Sequence, residues 1–171
     1  MTAALATVTL TTTVDSPIGP LTLTSQDGCL TGLHMTGEAH SPRHRADWVE
    51  DRGPFGLVAA QLAAYFAGEL TEFDVPLHMV GTDFQRRVWQ GLCQIPFGET
   101  WSYVELAGKV GNIKACRAVG LANGRNPISI IVPCHRVIGA DGTLTGYGGG
   151  LDRKAWLLGH ERRVRANLTA R

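Results

Sequence analysis

Ser102-Tyr103-Val104-Glu105-Leu106-Ala107-Gly108-Lys109-Val110-Gly111-Asn112-Ile113-Lys114-Ala115-Cys116-Arg117-Ala118-Val119-Gly120-Leu121-Ala122-Asn123-Gly124 reads as two short helices around a tight turn. Ser102 and Glu105 stand three apart, the spacing of a capping box, and predict a helix to about Val110. Gly111-Asn112 breaks it, and Asn112 can cap a second helix over residues 113–123. Gly124 ends that helix, and Pro127 disfavours α geometry at Asn126. Two short helices joined by a glycine-containing turn suggest a helix-turn-helix, although plain helical bundles contain such pairs too. The second helix is rich in small residues: Ala115, Ala118, Gly120, Ala122 and Gly124. A glycine inside a helix costs about 1 kcal/mol relative to alanine. Either close approach to something bulky or tight helix–helix packing explains accepting that cost.

Upstream, Thr82-Asp83-Phe84-Gln85 fits another capping box and opens a helix to about Cys93, closed by the turn Ile95-Pro96-Phe97-Gly98. Before Gly81 the character changes. Residues 7–14, with Thr7, Thr9 and Thr11 on one face, and residues 21–24 alternate as strands around the turn Asp15-Ser16-Pro17-Ile18-Gly19. Gln26-Asp27-Gly28 turns the chain into a third strand at 30–35. Residues 36–53 read as a surface loop, residues 55–68 as a helix with apolar residues at helical spacing, and residues 73–80 as an extended connector. The expected architecture is therefore an α/β N-terminal subdomain with a small antiparallel sheet, over residues 1–80. A mainly α, winged-helix-like C-terminal subdomain with the helix-turn-helix follows, over residues 81–171.

The 171 residues are 44% hydrophobic, enough for a core. No run approaches the ~18 apolar residues of a membrane span, and Met1–Leu10 lacks the features of a secretory signal. The four cysteines, Cys29, Cys93, Cys116 and Cys134, form no CxxC pair, so a cytoplasmic protein with free thiols is expected. The net charge of +1 conceals an asymmetry. Residues 1–82 hold 3 Lys/Arg and 9 Asp/Glu, net −6, whereas residues 83–171 hold 13 and 6, net +7. Such a split fits a polyanion partner for the second half, or internal pairing of the two halves.

Beyond the helix pair, Ser129-Ile130-Ile131-Val132 is a β-branched apolar run that predicts burial, and it delivers the chain to Pro133-Cys134-His135-Arg136-Val137. A thiol held after a rigid buried segment, with a histidine beside it to take its proton, suits nucleophilic chemistry. On these residues alone, Cys134 reads equally as a small buried hydrophobe.

The segment from Asn123 through Gly139 resembles the active-site segment of the O6-alkylguanine-DNA alkyltransferases, or methylated-DNA–protein-cysteine methyltransferases. The likeness extends to Gly142-Thr143-Leu144-Thr145-Gly146-Tyr147-Gly148-Gly149-Gly150 and to Lys154-Ala155-Trp156-Leu157-Leu158-Gly159-His160-Glu161. It also takes in Phe84–Trp89, Ile95–Thr100 and the first hairpin at Asp15–Gly19.

The resemblance implies direct-reversal DNA repair. An alkyl group on O6 of guanine, or on O4 of thymine, passes irreversibly to Cys134 after the base flips out of duplex DNA, one lesion per molecule. It implies that His135 takes the thiol proton through a water, that Glu161 orients the imidazole, and that Asn126 braces the turn before the active segment. Tyr103 would donate to the base and Gly148 N–H would face O6, with Tyr147, Gly149 and Lys154 around the pocket. The carbonyls of Cys134 and Val137 would accept from the exocyclic amine. Arg117 would enter the base stack, with Ala115, Ala118, Gly120, Ala122 and Arg125 on the DNA-facing surface in the minor groove. Alkylated double-stranded DNA is the implied partner of a monomer. Neither a cofactor nor a metal is expected, because Cys29, His34, His40, His44 and His78 do not match the zinc pattern of some relatives. Two departures stand out: Cys116 where the family commonly has Ala, and Ser129 where some members have Pro. The rival classes are a DNA-binding regulator without chemistry, against which Cys134, His135 and Glu161 argue, and a turnover thiol hydrolase.

Overall fold

A computed structural model describes residues 7–43 and 45–171; the expectations touching Met1–Ala6 and His44 lie outside them. Strands β1 (Leu10–Val14), β2 (Leu21–Gln26) and β3 (Cys29–Met35) form an antiparallel meander. A short β4 (Val49–Glu50) pairs in parallel with β1, so the sheet order is β3-β2-β1-β4. The expected sheet is thus present but not wholly antiparallel. The extra strand falls inside residues 36–53, read as loop: two exposed residues leave no alternation to recognise.

Leu21, Leu23, Leu33 and Met35 lie on the buried face of the sheet. Helix α1 (Gly56–Phe66) packs over it through Val58, Leu62 and Tyr65. Residues 72–80 run extended along β3, where Leu30 N–H donates to Pro76 O and His78 N–H to Leu30 O.

The C-terminal part holds α2 (Asp83–Leu92), β5 (Trp101–Ser102), α3 (Tyr103–Lys109), α4 (Cys116–Gly124), β6 (Val137–Ile138) and α5 (Leu151–Thr169). Both capping boxes form. Thr82 accepts from Gln85 N–H while Gln85 returns to Thr82 N–H, and Ser102 and Glu105 do the same. The helix expected over 113–123 is divided: Asn112 caps a 3-10 turn at Ile113–Ala115, and α geometry begins at Cys116. Trp89 Nε1 donates to Ala122 O at 2.8 Å, fixing α4 against α2. The paired β5 and β6 run parallel at the base of α3.

One hydrophobic core runs through both parts, joining Leu23, Leu33 and Tyr65 to Trp89, Leu106, Val132 and Leu157. The free edge of β3 takes part in this join. Leu33 N–H donates to Pro127 O and Ser129 N–H to Leu33 O, each at 3.0 Å. An edge strand would otherwise expose unpaired backbone groups; here it straps down the segment that carries Cys134.

Candidate active site and DNA-facing surface

The segment after α4 is buried as expected but is not extended. Ile131 N–H donates to Ser129 O, Val132 N–H to Ile128 O and Cys134 N–H to Val132 O. Ile130 has φ +72°, a left-handed conformation that costs a β-branched residue of the order of 1–3 kcal/mol. Asn126 holds this folded turn from inside: its Nδ2 donates to Val132 O at 2.7 Å, and its Oδ1 accepts from Ile128 N–H at 3.0 Å. Cys134 through Arg136 then form a 3-10 turn, with Val137 N–H donating to Cys134 O.

His135 and Glu161 are fully buried and 2.7 Å apart, Nε2 to Oε1. Glu161 also accepts from Arg136 Nε and Nη2 at 2.9 and 3.0 Å, from Tyr65 Oη at 2.8 Å and from Gly98 N–H at 3.1 Å. Burial by itself raises its pKa, but the His135 and Arg136 contacts outweigh this and hold it well below the usual carboxylate range. An ionised carboxylate only accepts, so the His135 proton sits on Nε2. Burial, opposed by Glu161, lowers the imidazole pKa and keeps the ring neutral. Its Nδ1 is buried without a protein partner among the described residues. A neutral imidazole with its tautomer fixed by a carboxylate and its other nitrogen free has the form of a proton acceptor, and Cys134 is its neighbour in the chain.

Cys134 is 5% exposed. Burial pushes its thiol up to about 11; Asn126 and Lys154 pull downward, and Glu38 pushes upward. At rest the thiol is therefore protonated. Lys154 is also fully buried. Its Nζ donates to Val137 O at 2.5 Å and Thr145 O at 3.0 Å, and lies 5.9 Å from the Tyr147 ring centre. Burial lowers its pKa to about 8.

A cavity of about 360 Å³ is lined by Ala39, His40, Tyr103, Gly120, Gly124, Thr145 to Gly148, and no other residue type of comparable bulk to the two tyrosines. Cys134 does not line it, but lies close enough for a charge on its sulfur to act on the hydroxyls of both Tyr103 and Tyr147. Tyr103 Oη donates to Thr145 O at 3.1 Å, and the Tyr147 hydroxyl is buried without a partner among the described residues. Gly149 allows close packing: a Cβ there would stand 2.5 Å from Met35 Sδ and 2.9 Å from the Tyr147 ring. A larger cavity, about 450 Å³, lies beside Phe73, Ile95, Phe97, Pro133 and Arg136. Cys134 lines neither cavity; the smaller one is tied to the thiol by Tyr103 and Tyr147, on whose hydroxyls a charge on its sulfur acts.

Cys134, His135, Glu161, Asn126, Tyr103, Tyr147, Gly148, Gly149 and Lys154 gather around the thiol and its cavity. Both carbonyls expected to receive the guanine amine already accept from protein donors, Val137 O from Lys154 and Cys134 O from Val137 N–H. A base must therefore share their second lone pairs. Arg117, Ala118 and Arg125 are exposed on α4 or just after it, with Ala115, Gly120 and Gly124 partly so. Ala122 requires correction: it is 3% exposed, faces the core and gives its carbonyl to Trp89. Close packing thus accounts for Ala122, but not for Gly120 or Gly124. A Cβ at Gly124 would meet nothing within 4 Å, and one at Gly120 only the Tyr103 ring at 3.8 Å. Sequence reasoning missed Tyr65, read as a core position, and Arg136, which sits inside the Pro-Cys-His-Arg-Val stretch. It also missed Leu121, 68% exposed one turn beyond Arg117.

Residues 9–79 match the ribonuclease-like domain of 6-O-methylguanine DNA methyltransferase, and residues 83–163 match that family's DNA binding domain. The chain belongs to this methyltransferase family. A methylated-DNA–protein-cysteine methyltransferase of Mycobacterium tuberculosis is 60% identical over 158 residues, covering 92% of this chain and 95% of the relative. One from Methanosarcina barkeri is 52% identical over 145 residues, covering 85% and 92%. Among solved structures, Mycobacterium tuberculosis OGT in complex with DNA superposes with a TM-score of 0.87 at 58% identity, covering 91% of this chain and 94% of that one. Within this methyltransferase the two matched domains share the single core and the strapped β3 edge described above.

Proposed function

We propose that this protein repairs alkylated guanine in duplex DNA by transferring the alkyl group to Cys134. The observation that carries the reading is the fixed His135 tautomer: Glu161 accepts the hydrogen bond from Nε2–H and leaves Nδ1 open, buried, on the residue that follows Cys134. The Cys134 proton passes to Nδ1, across one water. Sulfur then attacks the alkyl carbon, the bond from carbon to guanine O6 breaks, and the electron pair leaves with the base. The departing guanine regains the proton that the imidazolium took from Cys134, and the Tyr103 hydroxyl stabilises the base as it leaves. The products are an S-alkylcysteine and an unmodified guanine.

A base stacked inside a duplex cannot reach a thiol behind Tyr103 and Tyr147, so the nucleotide flips into the 360 Å³ cavity. Arg117, exposed on α4, fills the vacated position, where a planar cation can stack and donate. O4-alkylthymine presents the same alkyl–oxygen bond and is a second substrate. A thioether has no good leaving group, so each molecule acts once. The protein works as a cytoplasmic monomer without a cofactor.

Mass spectrometry after incubation with an O6-methylguanine oligonucleotide tests this. One methyl on the Cys134 peptide, saturating at one equivalent and absent in Cys134→Ser, is the expected result. An unmodified Cys134 despite DNA binding would move the protein to the regulator class, and multiple turnovers on an ester or peptide to the thiol hydrolases.

A further inference from the structure

Glu38 lies just after β3, in a loop where nothing in the sequence marks it, yet its side chain is 7% exposed. Both carboxylate oxygens are held. Oε1 accepts from Ser129 Oγ at 2.8 Å, and Oε2 accepts from Met35 N–H at 2.8 Å, with His34 Nδ1 3.7 Å away. The partner Ser129 is fully buried in the active segment. On the other side the carboxylate lies against the glycine loop: a Cβ at Gly148 would stand 3.2 Å from Glu38 Cγ and 3.3 Å from Oε1. The next residue, Ala39, donates its N–H to Gly148 O at 3.0 Å and lines the cavity together with His40.

We propose that Glu38 is a positioning residue that joins the N-terminal loop to both halves of the alkyl pocket and sets its negative charge against the development of a thiolate at Cys134. This rests on Cys134 being the acceptor. The other groups acting on that sulfur are Asn126 from its own segment, Tyr103 from α3, Tyr147 from the glycine loop and Lys154 from α5. Lys154 is the cation of this set and opposes Glu38. Burial is the main reason the thiol stays protonated, and Glu38 acts in the same direction. Ser129 orients the carboxylate, so the hydroxyl at this position fixes where the charge lies.

The test is the rate of reaction of the full-length chain with free O6-benzylguanine, followed by intact mass across pH. Glu38→Gln keeps the shape and removes the charge. Its pH–rate profile moves to lower pH by roughly half to one unit. At neutral pH the gain in thiolate, partly offset by lower nucleophilicity, raises the rate roughly threefold. Glu38→Asp retains the charge and returns the profile toward that of the wild type. An unshifted Glu38→Gln profile overturns the proposal, whether or not the rate falls, because a purely structural anchor changes rate without moving the profile. Ser129→Ala covers the case in which Glu38→Gln does not fold. It keeps the carboxylate and removes one anchor, so the rate falls on the order of threefold with no move to lower pH; a wild-type rate, or a move to lower pH, counts against Glu38. Cys134→Ser separates the two levels. Labelling that survives it refutes the acceptor, whereas a labelled wild type beside an unshifted Glu38→Gln refutes only the role of Glu38.

Discussion

The phenol of Tyr65 and the carboxylate of Glu161 lie 2.8 Å apart across 96 residues of chain. Tyr65 belongs to α1 and Glu161 to α5, so the carboxylate bonded to the His135 imidazole is itself held from the N-terminal domain. Tyr65→Phe removes one of the donors to a buried charge, a loss of about 1.5–3 kcal/mol. Chemical denaturation should show that loss, while the alkyl-transfer rate falls less than tenfold because Arg136 and Gly98 still hold Glu161. An unchanged unfolding midpoint would show that the bond contributes nothing net.

Acid stability follows from the same cluster. The folded pKa values of His135 and Glu161 both lie below their ordinary values of 6.5 and 4.5. The unfolded chain therefore takes up protons first as pH falls, and stability decreases with falling pH. The stability is fully present above about pH 6.5, begins to decline below it as unfolded histidine protonates, and declines further below about 4.5 as unfolded Glu161 does. Urea unfolding at a series of pH values should show both portions. Glu161→Gln should remove the lower one.

Arg136→Ala leaves Glu161 without two of its bonds and without its permanent countercharge. Breaking one side of a buried pair costs about 3–5 kcal/mol. The variant should unfold at markedly lower denaturant concentration than the wild type, and a shift below about 1 kcal/mol would show that His135 and Tyr65 suffice to hold the carboxylate.

The surface glycines of α4 separate folding from DNA contact. Gly120→Ala and Gly124→Ala add methyl groups that meet no close neighbour in the free protein. Each should leave stability unchanged or raise it by up to about 1 kcal/mol, yet slow repair of duplex DNA. If repair of duplex is untouched while stability rises, close DNA approach is not the reason for those glycines.

Arg117→Ala should slow repair in duplex DNA by tenfold or more, on the order of 1.4 kcal/mol, while the reaction with free O6-benzylguanine stays near the wild-type rate. Equal losses on both substrates would remove Arg117 from the flipping step. Kinetics on the two substrates in parallel make this distinction.

Local chemistry was readable from the chain. The capping boxes at Thr82 and Ser102 need only residues three apart, and both form as expected. The Cys-His dipeptide was visible too, but not which way its members point. The partners that give it meaning come from afar: Tyr65, Gly98 and Glu161 converge on one another from three separate elements. The division of the 113–123 helix was not legible, because a 3-10 turn and a first α turn have the same composition. Nor was the left-handed Ile130. β-branched residues favour extended backbone, and this one is held away from it by Asn126 and the β3 edge. Glu38 was hidden for the same reason as β4: each acquires its role only against a partner from elsewhere in the fold.

The four thiols differ in shelter. Cys93 is exposed, Cys29 and Cys116 are partly covered, and Cys134 is buried. Stray electrophiles and oxidants that find a thiol by access meet Cys93 before they meet Cys134. If each molecule repairs one lesion, as proposed, this order of access acts as a safety catch. On the proposed reaction, the burial that keeps the Cys134 thiol protonated also keeps it intact until a flipped base arrives.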